Sequence, residues 1–512
     1  MQQGIFPSKL KIATVVPIHK GGKKTDIANY RPISLLSAFS KIYEKIMHAR
    51  TFDFLTKQKV LYQHQYGFRK SHCCEHAILM AQNSILDSLN NKHIAMLLLI
   101  DFSKAFDMVD HKILLQKLEH YGIRGVALKW FKSYLTERNQ HVKISGMVSN
   151  ECMLKHGVPQ GSILGPLLFI IYINDLPNIH KLSRFFLYAD DANIIIIGQN
   201  MHEISMKFKE LSMLLMNWVS NNGLCLNIKK TNYMLFSNID TTTPFFPKIA
   251  NTPIERKSAA KFLGIIVDEK LLWTQHIKSI ATKMSRNTGV LIKLKSIVPQ
   301  KVILTLFQCL VQSQINYCSL VWGLGSKSSI KPIFTAQKKA VRTLMPGFTN
   351  YYYDPKTDKI PTHTKCTYSK LGILTVHNVI LKNLLIFMRK IAHFSNYLPT
   401  PIVNHFRNCI DSPIEARLKP HKNSLSVKGP FLYSVITNEL TVKIQADSNR
   451  TLNSYKQHIN KFLLEKQGLG EIEWVPVNFQ MYKGTRKSPR LNPPVSRQEA
   501  SNMVIMSIQP VS

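Results

Sequence analysis

Short hydrophobic runs alternate with helix-like patterns through the first half of the chain. Ile94–Ile100 is hydrophobic throughout and has the length of a strand, as do the runs 185–189 and 194–197. Runs of this length are typical of buried strands. Between the first two runs, hydrophobic residues recur at the spacing of one helix face: Ile113, Leu114, Leu118 and Tyr121. The alternation of the two patterns predicts an α+β fold.

Other segments predict helices, a loop and a tail. Helical spacing dominates from about residue 270 to about residue 400. Segment 240–247, rich in Thr and Pro, predicts a loop, and segment 483–512, with prolines and scattered charges, predicts disorder. The longest hydrophobic run, 163–173, is shorter than the roughly 18 residues that cross a membrane. We expect it to be buried within the protein, and we expect no membrane partner.

The composition indicates a polyanionic partner. The chain has 67 Lys and Arg residues against 30 Asp and Glu residues, a formal charge of +37, which favours association with nucleic acid. Hydrophobic residues make up 45% of the chain, which excludes a wholly disordered basic protein. The eight cysteines show no CxxC spacing, so no disulfide framework or zinc knuckle is expected. Without a signal peptide or another targeting signal, we expect an intracellular protein, in the nucleus or the cytoplasm.

Two adjacent aspartates, Asp190 and Asp191, separate the hydrophobic runs 185–189 and 194–197. In a hairpin, neighbouring carboxylates would raise each other's pKa unless a cation offset their charge. By itself such a pair is more typical of a solvated turn, because Asp favours turns through local hydrogen bonds. The pair becomes a candidate metal site only together with a further carboxylate.

That carboxylate is Asp101, which directly follows the strand-like run Ile94–Ile100. Functional side chains often lie at strand ends, on a rigid scaffold. If the strands are neighbours, Asp101 and the pair 190–191 bracket one site, and their oxygens suit Mg²⁺, with Mn²⁺ as a substitute. Two ions about 3.5–4 Å apart would activate a 3′-hydroxyl and stabilise the leaving pyrophosphate. Asp107 and Asp110 are expected to open the following helix instead.

The segments around these aspartates resemble motifs A, B and C of reverse transcriptases, in this order: 102–111 (FSKAFDMVDH), 156–164 (HGVPQGSIL) and 187–192 (LYADDA). Further segments are similar to the flanking blocks of non-LTR retrotransposon enzymes, of LINE and jockey type: 29–35 (NYRPISL), 65–70 (QYGFRK), 226–231 (LNIKKT) and 262–265 (FLGI). The resemblance extends from about residue 5 to about residue 345.

The resemblance implies a right-hand polymerase that synthesises DNA from dNTPs on an RNA template and a DNA primer. Fingers and palm would occupy 1–268, and the thumb with a following basic helical region 269–345. A mostly helical C-terminal region of unassigned role would occupy 346–482, before the tail 483–512. An element-encoded RNA-binding protein is an implied partner, and the upstream endonuclease of full-length elements is not expected in these 512 residues.

By the same resemblance, the metal ligands would be Asp101, Asp190, Asp191 and the carbonyl of Phe102, with Asp190 the closer ligand of the adjacent pair. Lys230 would act as a general acid for pyrophosphate, although a surface lysine at a turn is the ordinary alternative. Phe106 would exclude the 2′-hydroxyl of a ribonucleotide, or else serve as a core aromatic.

The resemblance also implies nucleotide contacts by Gln160, near the nascent base pair, and by Arg31 and Arg69, which could grip triphosphate oxygens. Arg69 is favoured because it follows a glycine-aromatic turn, whereas Arg31 precedes a proline and could be structural. The segment 71–74 (SHCC) departs from the family pattern. A metal site there is disfavoured, since adjacent cysteines suit zinc poorly.

Basic residues beyond the palm predict contacts with nucleic acid. Segment 270–301 contains lysines and arginines but no acid, so one helix face would pack while the other follows phosphates. The expected contacts are Lys278, Lys283 and Arg286, followed by Lys338, Lys339 and Arg342 in a second basic segment. An ordinary amphipathic helix with a solvated face is the alternative.

Two other function classes are compatible with these observations. A catalytically silent, truncated or domesticated copy that binds nucleic acid would explain the charge but not the three aspartates. An RNA-dependent RNA polymerase would share the palm, but Phe106 and the segment 188–191 (YADD) favour DNA synthesis.

Overall fold

The computed structural model describes residues 3–239, 245–344, 367–368, 370–411, 424–426, 428–430, 432–433 and 452–469. The predicted tail, 483–512, and most of the predicted loop at 240–247 lie outside these residues. All described residues belong to one compact unit, Met1–Ile472. The borders at 268 and 345 therefore stay predictions.

Strands are numbered in chain order. They are β1 (Ile12–His19), β2 (Tyr30–Leu35), β3 (Ile94–Ile100), β4 (Arg138–Ile144), β5 (Met147–Val148), β6 (Cys152–Leu154), β7 (Ser183–Tyr188), β8 (Asp191–Gly198), β9 (Asn232–Phe236), β10 (Lys248–Ile249), β11 (Thr252–Pro253), β12 (Glu255–Arg256), β13 (Ala259–Phe262) and β14 (Ile265–Asp268).

Helices are numbered in the same way. They are α1 (Ala38–Lys57), α2 (Cys74–Asn90), α3 (His111–His120), α4 (Gly125–Leu135), α5 (Leu164–Tyr172), α6 (Met201–Asn221), α7 (Thr274–Leu294), α8 (Gln300–Phe307), α9 (Ser313–Asn316), α10 (Ser319–Trp322), α11 (Lys327–Thr343), α12 (Val376–His393), α13 (Thr400–Asp411) and α14 (Leu452–Leu469). A π-helical segment, Gln308–Gln312, joins α8 to α9.

The central sheet has the strand order β12-β9-β3-β8-β7. β3 pairs antiparallel with both β8 and β9, and β7 forms a hairpin with β8. A second sheet, β2-β1-β4-β5 with β6 on β4, contains a parallel pairing of β1 and β4. The mixture of helices and mainly antiparallel sheets confirms the predicted α+β class.

β3 is buried along its whole length because both faces of the sheet are covered. Alternate side chains of a strand point to opposite faces. Met96, Leu98 and Ile100 join a core built with α3, α4, α5 and α6, and α2 contacts β3, β7 and β8. A doubly covered strand can be hydrophobic at every position, which explains why the run was visible in the sequence.

The predicted elements agree closely with the structure. β3 has the predicted bounds, and the runs 185–189 and 194–197 fall mainly in β7 and β8. Leu114 and Leu118 are buried on α3, whereas Tyr121 caps its C-terminus. The run 163–173 corresponds to the buried helix α5. No helix in the part of the chain that the structure describes is long and apolar enough to cross a membrane.

A buried carboxylate joins α1 to α5. Glu44 is fully buried and accepts hydrogen bonds from the Ser40 hydroxyl (3.0 Å) and from the backbone N–H groups of Ile163 (2.6 Å) and Leu164 (3.4 Å). These N–H groups lie at the N-terminus of α5, where the helix dipole favours a negative charge. Glu44 thereby fixes the loop before α5 against the N-terminal part of the fold.

Candidate active site

Three aspartates meet at one end of the central sheet. Tyr188 pairs with Asp191 across the β7–β8 hairpin, which leaves Ala189 and Asp190 as a two-residue turn. Ile100 pairs with Ala192, so Asp101, the next residue after β3, lies at the level of Asp191. Ala189 has a φ of 54°, the positive value that tight hairpin turns require. The strand pairing therefore brings together carboxylates that are almost ninety positions apart in the sequence.

The chain beyond Asp101 continues to pair, now with the segment before β9. The N–H of Asn227 donates to the Asp101 carbonyl (2.8 Å), and the N–H of Ser103 donates to the Cys225 carbonyl (2.8 Å). Phe102 lies between them, opposite Leu226, and its ring is buried. This pairing brings the turn that follows Leu226 to the site. Lys230 in that turn places Nζ 3.6 Å from Oδ2 of Asp101.

The carboxylates of the hairpin carry charge that the protein does not fully offset. Burial raises the pKa of Asp191 to about 6, and the charges of Asp190 and Asp101 contribute. Burial and the charge of Asp101 also raise the pKa of Asp190. A hydrogen bond from its own backbone and the nearby charge of Arg31 act in the opposite direction. A divalent cation would offset this charge.

The protein alone does not enclose such a cation. Among the residues that the structure describes, no three side chains of His, Cys, Asp or Glu are grouped closely enough to form a metal site. Mg²⁺ commonly binds through one or two carboxylates and takes its other ligands from water and substrate phosphates. The donor chemistry of Asp101, Asp190 and Asp191 fits that pattern.

The hairpin turn is held from outside the sheet by the segment 64–67. The N–H of Tyr66 donates to the Leu187 carbonyl (2.8 Å), and the N–H of Leu187 donates to the His64 carbonyl (3.0 Å). Oε1 of Gln65 accepts from the N–H of Gly67 (2.9 Å) and from the N–H of Ala189 (3.3 Å). Gln65 is 1% exposed, so no water competes for these bonds.

Gly67 is required at this contact. A Cβ atom on Gly67 would lie 2.3 Å from the backbone nitrogen of Ala189, a distance too short for any side chain. Gln65 and Gly67 lie in the flanking block 65–70, which the sequence did not link to the site. The glycine within 65–70 was the only signal of a close backbone approach.

The motif B loop lies against the motif A loop. Nε2 of Gln160 donates to Oδ1 of Asp107 (2.9 Å). Gly157 has a φ of 87°, and a Cβ there would lie 2.9 Å from the Asp107 carbonyl oxygen. Asp110 caps α3 by accepting from the N–H of Ile113 (3.0 Å), as predicted. The same expectation was wrong for Asp107, which lies before the helix and orients Gln160.

The ring of Phe106 lies at the edge of the core. It stacks on Phe169 of α5, with ring centroids 4.5 Å apart, and meets Phe68 edge-on at 6.3 Å. The side chain is only partly buried. The position is therefore compatible with both predicted roles, a supported ring that faces a substrate and a core aromatic.

The two arginines have different surroundings from those expected. Nη1 of Arg69 donates to the carbonyls of Tyr62 (2.8 Å) and Gln65 (3.3 Å), and burial lowers its pKa. Arg69 thus supports the segment that holds the hairpin turn. Arg31 is exposed on β2, and its charge lies close enough to Asp190 to lower the pKa of the Asp190 carboxyl group. The assignment of both arginines as triphosphate ligands stays a prediction, with Arg69 bonded to backbone carbonyls and Arg31 exposed near the hairpin turn.

The predicted basic surface divides between two packed helices. Lys278, Lys283 and Arg286 are exposed on α7, opposite the buried Ile277 and Met284. The helix begins at Thr274, later than the hydrophobic spacing suggested, because Asp268 accepts hydrogen bonds from Lys270, Leu272 and Trp273.

α11 packs against α7. Lys278 and Lys339 line one groove of about 770 Å³ between them, together with Thr282, Ser285 and Ser329. Lys338 lies 4.3 Å from the ring centroid of Phe334. Burial raises the pKa of Tyr368, and the nearby charge of Arg342 opposes this rise. The structure thus unites two basic segments that the sequence showed only separately.

Comparison with known proteins identifies similar sequences. The family described as reverse transcriptase (RNA-dependent DNA polymerase) matches residues 18–267. A probable RNA-directed DNA polymerase from transposon X-element of Drosophila melanogaster is 29% identical over 66% of this chain and 38% of its own length. The RNA-directed DNA polymerase from mobile element jockey of the same species is 29% identical over 67% of this chain and 38% of its length.

The chain thus spans 38% of the length of these curated relatives. Among solved structures, apo telomerase from Candida tropicalis aligns with a TM-score of 0.40 and 13% sequence identity, over 89% of this chain and 69% of that one.

We predict that Gln65→Leu lowers RNA-templated primer extension at least tenfold without unfolding the protein. Leu fills a similar volume but leaves the N–H groups of Gly67 and Ala189 unpaired, so the turn that carries Asp190 is displaced. Extension rates would be measured at saturating primer-template, and thermal unfolding would check that the variant is folded. Gln116→Leu, at an exposed position of α3, is the control. A wild-type rate for Gln65→Leu would show that the turn is held by other contacts.

Proposed function

We propose that this chain is the RNA-directed DNA polymerase of a non-LTR retrotransposon, because residues 18–267 match the reverse transcriptase family, as the motifs predicted. The proposed reaction joins a dNTP to the 3′-hydroxyl of a primer on an RNA template, with release of pyrophosphate. The observation that carries the proposal is the meeting of Asp101, Asp190 and Asp191 at one end of the central sheet. We propose an RNA template, a DNA primer and dNTP as its substrates.

The three aspartates would hold the divalent cations. The raised pKa of Asp191 and the mutual repulsion within the hairpin support a site whose charge is completed only when cation and substrate are bound. The bound Mg²⁺ would lower the pKa of the primer hydroxyl and offset charge on the phosphates. Mn²⁺ would substitute, and the Phe102 carbonyl stays a predicted further ligand.

Lys230 is placed to act near the leaving group. Its ammonium lies 3.6 Å from Asp101 and is largely exposed, so it can move toward a bound substrate. An ammonium that donates a proton to the departing pyrophosphate would assist the step as a general acid. In the absence of substrate, the same ammonium partly offsets the Asp101 carboxylate.

The nucleotide pocket would be formed by Phe106, Gln160 and Arg31. The stack on Phe169 limits movement of the Phe106 ring, so a clash with a ribose 2′-hydroxyl could not be relieved easily. Asp107 holds the Gln160 amide at the motif B loop, near the proposed base pair. Arg31, close to Asp190, would contact the triphosphate, and Arg69 would support the fingers from behind.

We predict that Asp190→Asn abolishes Mg²⁺-dependent extension of a DNA primer on RNA while the protein stays folded. The amide removes the charge needed to bind the cation but keeps the shape of the side chain. Single-nucleotide incorporation and circular dichroism are the measurements. Asp53→Asn, at an exposed position on α1, is the matched control and should be active. Wild-type incorporation by Asp190→Asn would refute the assignment of the metal site.

We predict that Phe106→Val admits ribonucleotides, because the smaller side chain removes the clash with the 2′-hydroxyl. The ratio of dNTP to NTP incorporation should fall at least tenfold. Phe169→Leu is the comparison, since it weakens the support of the ring without removing the ring. If both variants lose stability equally and neither changes the ratio, Phe106 is only a core aromatic.

We predict that replacing Lys278, Lys283 and Arg286 by Gln weakens primer-template binding regardless of sequence. Each lost phosphate contact should flatten the plot of log affinity against log salt by about 0.9, the slope for duplex DNA. A control with Lys112, Lys132 and Lys181 replaced by Gln removes the same charge from other exposed positions. Equal slopes in the two variants would show that this face of α7 is only solvated.

A further inference from the structure

A second basic groove lies in the C-terminal helical region, for which the sequence suggested no role. It has a volume of about 550 Å³ and runs between α12 and α14. We call it the C-terminal groove and define it by its lining residues: Lys382, Ile386, Lys456, Gln457, Asn460, Lys461, Leu464 and Glu465. None of these residues belongs to the candidate active site or to the α7–α11 surface.

The helices that form the groove are fixed to each other in antiparallel orientation. Nδ2 of Asn378, near the start of α12, donates to Oε1 of Gln467, near the end of α14 (2.9 Å). At the other end, the Arg389 guanidinium lies 5.0 Å from the ring centroid of Tyr455. Between these contacts, Lys382 lies 3.5 Å from the Asn460 side-chain oxygen. The groove is therefore a formed feature of a packed helix pair.

The groove concentrates positive charge. Burial lowers the pKa of Lys382, whose hydrogen bond to Asn460 brings no negative charge. Two turns further along α12, burial and the charge of Lys456 lower the pKa of Lys390, against the opposing effects of Cys73 and Glu75. Glu465 is the one carboxylate among the lining residues that the structure describes. A partly buried ammonium group such as that of Lys382 is stabilised in its charged form when an anion binds next to it.

We propose that the C-terminal groove binds the phosphate backbone of a single-stranded nucleic acid. Lys382, Lys456 and Lys461 would contact phosphates, and the side-chain amides of Gln457 and Asn460 would donate to phosphate or base oxygens. Ile386 and Leu464 offer apolar surface to sugars or bases. The proposal adds a binding site remote from the catalytic aspartates and does not depend on polymerase activity.

A nucleic acid fits the groove better than an acidic protein partner for two reasons. The chain as a whole carries a formal charge of +37, which favours association with nucleic acid. The lining also mixes ammonium groups with amides, which suits a ligand that presents both phosphates and base edges. Recognition through the backbone predicts that RNA and DNA strands bind alike.

The test measures binding of unstructured, fluorescently labelled polyuridine and polythymidine by anisotropy, over a series of salt concentrations. The full chain with Lys278, Lys283 and Arg286 replaced by Gln serves as background, so that the α7 surface contributes little. Adding Lys382→Gln, Lys456→Gln and Lys461→Gln should weaken both ligands at least tenfold. Each lost contact should also flatten the salt dependence by about 0.7, the slope for single strands.

The matched control adds Lys112→Gln, Lys132→Gln and Lys181→Gln to the same background, and it should bind as the background does. Thermal unfolding of each variant checks the fold, and photocrosslinking of thiouridine-containing RNA to α12 or α14 in the unmodified chain locates the contact directly. Equal affinity and slope in the groove and control variants would overturn the proposal. Binding of RNA alone, or equal competition by polyglutamate, would overturn backbone recognition.

Discussion

The register between β3 and β8 is the constraint on which the site depends. Ile100 faces Ala192, so the strand that ends in Asp101 meets the strand that begins with Asp191. A shift of one residue would turn every hydrophobic side chain of a fully buried strand to the other face. The cost of such a shift is high because the two faces of β3 pack against different helices, and exchanging their side chains would lose that fit. Hydrophobic packing thereby enforces the proximity of carboxylates whose charges oppose it.

Repulsion between these carboxylates is accommodated by contacts from segments far away in the sequence. The side-chain oxygen of Gln65 accepts from the N–H of Ala189 in the hairpin turn and from the N–H of Gly67. Arg31 and Lys230 bring positive charge close to Asp190 and Asp101. The negative charge that remains on the carboxylates would attract a divalent cation, which in turn would bind the triphosphate. Folding therefore prepares the site but leaves its electrostatic balance to be completed by substrate.

The sequence predicted the parts of this arrangement that depend on local pattern. β3 was predicted with its observed bounds because continuous burial leaves a continuous hydrophobic run. The three aspartates were predicted because they end or interrupt such runs, and motif order supplied their proposed role. The helix α5 was expected only as buried structure, since periodicity cannot distinguish a helix from a strand when every side is buried.

Long-range contacts could not be predicted in the same way. Nothing in the sequence near Gln65 shows that its side chain accepts a hydrogen bond from the N–H of Ala189. The sequence also cannot distinguish an arginine that faces a substrate from one that, like Arg69, donates to backbone carbonyls. Asp107 has the spacing of a helix cap, but its partner is Gln160 on another loop. The pairing of Lys278 with Lys339 in one groove likewise depends on how α7 packs against α11.

Locating the bound cation tests most directly whether β3 and β8 build one metal site. Fe²⁺ would be substituted for Mg²⁺ in the complex with primer-template and a non-hydrolysable dNTP. Added hydrogen peroxide, reduced by the bound Fe²⁺, would form hydroxyl radicals that cleave the nearby backbone, and ascorbate would regenerate the Fe²⁺. We expect cleavage at two separate positions, near Asp101 and near the Ala189–Asp190 turn, and excess Mg²⁺ should suppress both cuts. Cleavage at only one of these positions, or cuts that persist in excess Mg²⁺, would contradict the claim that the β3–β8 register builds one shared metal site.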